Sequence, residues 1–211
     1  MTASDLPTIY RDGARTGEAS EQDLTEMVGR LLSAKVTANY QVIGDRAYSA
    51  ADQFEVLTAA IGSLIEGKKL RFPIRIEGLL GPDGAPPAAQ ELERLRWPAF
   101  RDAVLDVRDY IKTERRVPAR VFIGPDAVPP VDFLAGLAAA YEHYRKNGVL
   151  PLQEGVTLGK NVELLPIRYI AKDTPGLFGG WVIHKEGFRA PKILEVARQQ
   201  AWTLKPAIRK E

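Results

Sequence analysis

An aliphatic residue followed by glycine recurs four times along the chain, at Ile43-Gly44, Leu80-Gly81, Ile123-Gly124 and Leu158-Gly159. The glycines are 37, 43 and 35 residues apart (44 to 81, 81 to 124, 124 to 159), within the range of helical repeat units. Other features keep pace with them. Gly81 and Gly124 open near-copies, Pro82-Asp83-Gly84-Ala85-Pro86-Pro87 and Pro125-Asp126-Ala127-Val128-Pro129-Pro130. An aliphatic or aromatic residue plus proline ends each helical stretch, at Phe72-Pro73, Val117-Pro118 and Leu150-Pro151. A short extended run then leads to the next glycine, as in Val121-Phe122-Ile123-Gly124 and Val156-Thr157-Leu158-Gly159.

Helical periodicity fills the intervals. A first helix is predicted over Glu21 to Leu32, capped by Ser20. Phe54, Leu57, Ile61, Leu64 and Ile65 form the stripe of a second, with Ser49 as N-cap and Asp52 placed to return the bond. Phe100, Val104, Val107 and Ile111 mark a third. The fourth carries Phe133, Leu137, Tyr141 and Tyr144, opens at Pro129-Pro130 and closes at Asn147-Gly148. One such unit has an apolar stripe and an apolar strand but too little material to bury both, so neighbouring units must stack.

After Gly159 the pattern breaks. Pro166-Ile167-Arg168-Tyr169-Ile170 alternates like a strand and Trp181-Val182-Ile183 like a second, with turns at Asp173 to Gly176 and Gly179-Gly180. A last helix is predicted from Pro191 to Trp202 with Ile193, Val196, Ala197 and Ala201 inward, stopped at Lys205-Pro206. The expected fold is therefore mainly α with short β-strands. Tandem helix–strand repeats occupy residues 1–160, and a C-terminal α/β cap over 161–211 continues the same unit.

Composition narrows the function classes. The 211 residues carry 29 basic and 27 acidic side chains, a net charge of +2, so neither nucleic acid nor an anionic membrane is expected as partner. The pairs Lys68-Lys69 and Arg115-Arg116 read as solvated helix ends. Cysteine is absent, which removes disulfides, thiolate nucleophiles and Cys-based zinc sites but leaves the compartment open. There is no apolar run long enough for a membrane span. Met1 to Gly17 is polar, unlike a signal peptide, so a role beyond the membrane is expected to require fusion to a larger exported protein.

The stretch from Phe100 to Tyr141 resembles the pseudomurein-binding repeat, on Tyr110-Ile111, Val117-Pro118, Val121, Ile123-Gly124 and Phe133-Leu134. The likeness extends more thinly over Val42 to Leu80 and Leu134 to Gly159. It implies a non-catalytic module that attaches a protein to a cell-wall glycan or related envelope polymer. The insertion at Ala88 to Pro98 and the C-terminal fifty residues depart from the family pattern.

Catalytic chemistry finds little support in the residues. The histidines are His143 and His184, with no second ligand group nearby, so neither a metal nor a cofactor is expected. No Gly-x-Ser-x-Gly elbow or phosphate loop occurs, and Glu142, Glu154, Glu163 and Glu186 form no recognisable pair. The densest cluster is Phe178, Trp181, His184, Phe188 and Arg189. Flat rings and a guanidinium suit a sugar or acidic glycan, which makes Trp181, His184, Phe188 and Arg189 the predicted ligand-binding residues. The alternative is that Phe178 and Trp181 pack this segment onto the repeats. The function expected is a binding or accessory module for a cell-wall or polysaccharide polymer. Two other readings stay open: a hydrolase of such polymers using His184, and a protein–protein scaffold.

Overall fold

The structure of the protein, a computed structural model, describes residues 10–11, 17–34, 37–88, 93–169 and 191–209. It is mostly helical with short strands. After β1 (Tyr10–Arg11) come β2 (Glu18–Ala19), α1 (Glu21–Ala34), β3 (Thr37–Ala38), β4 (Gln41–Ile43), β5 (Arg46–Tyr48), α2 (Ala50–Ile65) and β6 (Ile74–Arg75). There follow β7 (Arg94–Leu95), α3 (Trp97–Glu114), β8 (Val121–Ile123), β9 (Asp126–Val128), α4 (Pro130–Asn147) and β10 (Val156–Thr157). The chain ends with β11 (Glu163–Leu164), a 3-10 turn (Leu165–Tyr169), α5 (Pro191–Gln200), a second 3-10 turn (Ala201–Thr203) and β12 (Ile208–Arg209), which pairs with β1.

The order strand, helix, hairpin, helix, strand thus occurs twice, with matching connections. One residue joins β2 to α1 and β7 to α3, and six residues join α1 to β4 and α3 to β8. Two residues turn each hairpin, and eight join α2 to β6 and α4 to β10. Length differs only in the helices: α1 has 14 residues against 18 in α3, and α2 has 16 against 18 in α4. Four residues are about one helical turn, so the apolar stripe of α3 keeps its phase. Backbone pairing follows suit. Glu18 faces Arg75 and Ala19 faces Ile74, as Arg94 faces Thr157 and Leu95 faces Val156. The Ile76 N–H donates to the Gly17 carbonyl at 2.9 Å, and that of Leu158 to the Glu93 carbonyl at 2.9 Å.

The two halves interlock. Helix α1 packs on α4 and α3 on α2, while α2 and α4 pack on each other at the centre. Past β6, Leu80 bridges in parallel to Arg116 in the connection after α3; past β10, β11 pairs in parallel with β3 in the connection after α1. A row of rings runs through the shared core: Trp97 to Phe100 at 6.0 Å, Phe100 to Phe133 at 5.3 Å, Phe133 to Phe54 at 6.3 Å and Phe54 to Trp202 at 6.1 Å between centroids.

Several expectations are corrected. The strand-to-glycine-to-helix unit lacks an element: β5 and β9 stand between glycine and helix, so Gly44 and Gly124 turn two-residue hairpins. Both have positive φ (+57° and +60°) and are followed by a residue without it, the pattern of a type II′ turn. Gly81 and Gly159 hold no such place. A Cβ on Gly81 would collide with the Gln199 backbone, and one on Gly159 with Val162 and Asp132. The near-copy after Gly81 is accordingly a loop, whereas Asp126–Val128 is a strand. Residues 165–169 form a 3-10 turn in place of the expected strand. On α5, Val196 is exposed, not inward, because the burial falls on Ala201 and Trp202 after the helix. Arg115 caps the end of α3 with its side chain partly in solvent, and the pair also bonds acids: Arg115 with Glu77 and Arg116, at 3.3 Å, with Asp83.

Candidate functional site

Helix α3 turns Ala103 and Val107 into the core and leaves Tyr110 half-buried at the edge of the same stripe. Strand β8 follows by way of Pro118, whose side is buried, and its residues alternate: Val121 and Ile123 point inward, Phe122 outward. Phe122 is 60% exposed, an unusual place for a ring. Between helix and strand lies a groove of about 450 Å³ lined by Val107, Tyr110, Pro118, Val121 and Phe122. Its rim is polar. Asp106 and Arg120 are exposed and have no ion-pair partner among the described residues, while Asp83 is held by Arg116. Burial pushes the Tyr110 hydroxyl pKa upward; Asp83 adds to this and Arg116 opposes it.

The first half shows what the fold alone requires here. The positions of Tyr110, Asp106 and Phe122, each 80 residues earlier, are Arg30, Glu26 and Val42. Arg30 donates to the Val42 carbonyl at 2.7 Å and pairs with Glu26, so that side chain lies over the strand. The second half replaces it with a ring and leaves the groove open. Two aromatic faces beside a carboxylate and a guanidinium can stack on an apolar ring face and bond the groups around it. The groove lining includes no serine, cysteine or histidine; its polar groups are the Asp83 and Asp106 carboxylates, the Tyr110 hydroxyl and the Arg120 guanidinium.

The predicted ligand residues Trp181, His184, Phe188 and Arg189, with Phe178, lie outside the described residues. His143 is half-buried on α4, its carbonyl accepting the Asn147 amide at 3.0 Å. Of the acids considered for catalysis, Glu186 lies outside the described residues, and the other three have separate surroundings. Glu142 is gripped by Arg145 at 2.8 Å and Lys146 at 3.0 Å, which hold its carboxyl down to about 2. The Glu154 carbonyl accepts from Arg94 at 2.8 Å, and Glu163 lies in β11. Among the described residues no three His, Asp or Glu side chains gather as a metal site. In the sequence Tyr110, Val121 and Ile123 stand out only as repeat positions and do not single out the groove; the local signal for it is Phe122, an aromatic at the outward position of a strand. No protein-family model matches the sequence, and no curated protein or solved structure matches the chain.

Proposed function

We propose that the chain is a non-catalytic binding module for a cell-wall or related polysaccharide, with a sugar ring seated in the Tyr110–Phe122 groove. The observation that carries this is Phe122, an exposed ring facing a groove that the first half fills with Arg30. The groove lies in the segment that resembles the pseudomurein-binding repeat, which supports the same reading. In this reading the chain is a tandem pair of strand–helix–hairpin–helix–strand units with residues 191–209 packed against them, and the module serves a larger protein to which it is fused.

The test is calorimetric titration with soluble wall-polymer fragments against wild type, Phe122→Ala and Tyr110→Ala, with thermal melting as fold control. Each variant is expected to bind about tenfold more weakly, equivalent to ~1.4 kcal/mol. Unchanged binding by both folded variants removes the groove from consideration. The same exposed ring favours one second reading, a protein–protein scaffold. There Phe122→Ala abolishes capture of a partner protein while leaving polymer binding intact. Polymer cleavage that disappears in His184→Ala replaces the binding reading with the hydrolase.

A further inference from the structure

A second cleft, of about 780 Å³, lies between α2 and the segment that follows it. From residue 69 onward that segment alternates although only Ile74–Arg75 pair as a strand. Leu70, Phe72, Ile74 and Ile76 turn inward, while Lys69, Arg71, Pro73 and Arg75 are exposed. The alternation leaves Lys69, Arg71 and Arg75 exposed along the edge of the cleft. With Lys68 they border the cleft, over a floor of Ala59, Ala60 and Ser63.

Of the acids within reach, Glu66 already neutralises Lys68, and the others are engaged elsewhere. Glu66 accepts from Lys68 and from Arg108, both at 2.7 Å. Glu77 is bound by Arg115, and Glu18, opposite Arg75 in the β2–β6 pair, bonds Arg46 at 3.4 Å. Lys69, Arg71 and Arg75 have no ion-pair partner among the described residues. The second half again supplies a control. Eight residues join α4 to β10 as they join α2 to β6, and at the places of Lys68, Lys69, Arg71 and Arg75 it carries Leu150, Pro151, Gln153 and Thr157. The fold therefore needs no cation at these positions.

Guanidinium forks grip phosphate or carboxylate groups through paired, charge-assisted hydrogen bonds. A row of cations suits charges repeated along a chain better than one compact anion. The cleft lining includes no aromatic ring on which bases could stack, which argues against single-stranded nucleic acid. We propose that Lys69, Arg71 and Arg75 bind an extended single-chain polymer bearing phosphate or carboxylate groups. This site is separate from the Tyr110–Phe122 groove and stands or falls independently of it.

The full chain is titrated calorimetrically with long-chain inorganic polyphosphate, polygalacturonate, uncharged dextran and duplex DNA over a range of salt concentrations. At least one of the first two is expected to bind and dextran is not; whichever binds more tightly identifies the anionic group. Log K should fall linearly with log salt. In Arg71→Gln/Arg75→Gln the affinity should drop more than tenfold and the salt slope should flatten by about two, one per cation removed. Lys69→Glu is the second variant, expected to weaken binding at unchanged melting temperature, and Phe122→Ala should leave polyanion binding intact. The proposal is overturned if neither anionic polymer binds, if the folded variants bind as wild type does, or if duplex DNA binds more tightly than both.

Discussion

Phe133 sits between Phe100 of its own half and Phe54 of the other, fully buried, and so joins the two halves at one side chain. Phe133→Ala removes contacts on both sides and should cost roughly 3–5 kcal/mol, read as a lower denaturant midpoint. An unchanged midpoint would mean that this row of rings is not the core. Phe54 and Phe133 were legible from helical spacing, because a ring on an apolar stripe has nowhere else to go. The roles of the glycines were not. Four aliphatic–glycine pairs look alike as text, yet Gly124 is required by its positive φ and Gly81 by the nearness of the Gln199 backbone. Gly124→Ala should cost about 1 kcal/mol of backbone strain. Gly81→Ala should instead release the 191–204 segment, seen as faster amide exchange there without a matching change in α1.

At the scale of elements, short-range polar chemistry decides where helices begin. Ser20 and Asp23 exchange bonds at the start of α1, the Ser20 N–H reaching the Asp23 carboxylate at 2.8 Å and the Asp23 N–H the Ser20 hydroxyl at 3.1 Å. Ser49 and Asp52 repeat this at α2 with the same distances. Ser49→Ala should cost about 1 kcal/mol. The Asp52 carboxylate is also held by Lys205 at 2.7 Å, a partner more than 150 residues away that capping rules do not reveal. Glu55 is a second such case. It is buried in α2 with its carboxylate accepting the N–H groups of Glu77 and Gly78, both at 3.1 Å. Burial raises its pKa and the two N–H bonds only partly oppose the rise. The folded protein thus holds this proton more tightly than the unfolded chain does. The charged form costs stability above the folded pKa, and the cost fades as pH falls through it toward the ordinary carboxylate value. Glu55→Gln removes that contribution. As pH falls from neutral toward the ordinary carboxylate range the variant should therefore gain less stability, or lose more, than wild type; parallel urea-unfolding curves would show that Glu55 does not titrate in this way.

For the molecule as a whole, the cross-packing of α1 on α4 and α3 on α2 means that neither half can bury its stripes alone. Chains 1–88 and 89–211 produced together should associate and melt cooperatively, whereas each alone should lack a cooperative transition. A cooperative melt of either fragment by itself would show the halves to be independent. One glycine per unit corresponds to about 40 residues. Each half contains two helices, so counting helices and glycines divides the chain into quarters, while the connection lengths divide it into two.

Helix type, capping and the inward face of each long helix were determined by the sequence itself, because a 3.6-residue stripe and a serine before an acidic first turn act within a few residues of one another. The hairpins were within its reach too: a glycine at the first position of a two-residue turn between apolar runs is a local signal. What only the tertiary structure decided is which elements meet across long separations. The groove exists because α3 and β8 leave open a space that Arg30 covers in the other half. The row of cations faces a cleft because β6 pairs with β2 and turns its alternate residues outward, and the partners of Glu66, Glu77 and Glu18 come from α3, its C-terminal end and β5. Charges and rings are visible in a sequence, but whether they are neutralised or left facing open space depends on side chains brought near by packing, and hydrophobic burial, being non-directional, does not encode that pairing locally.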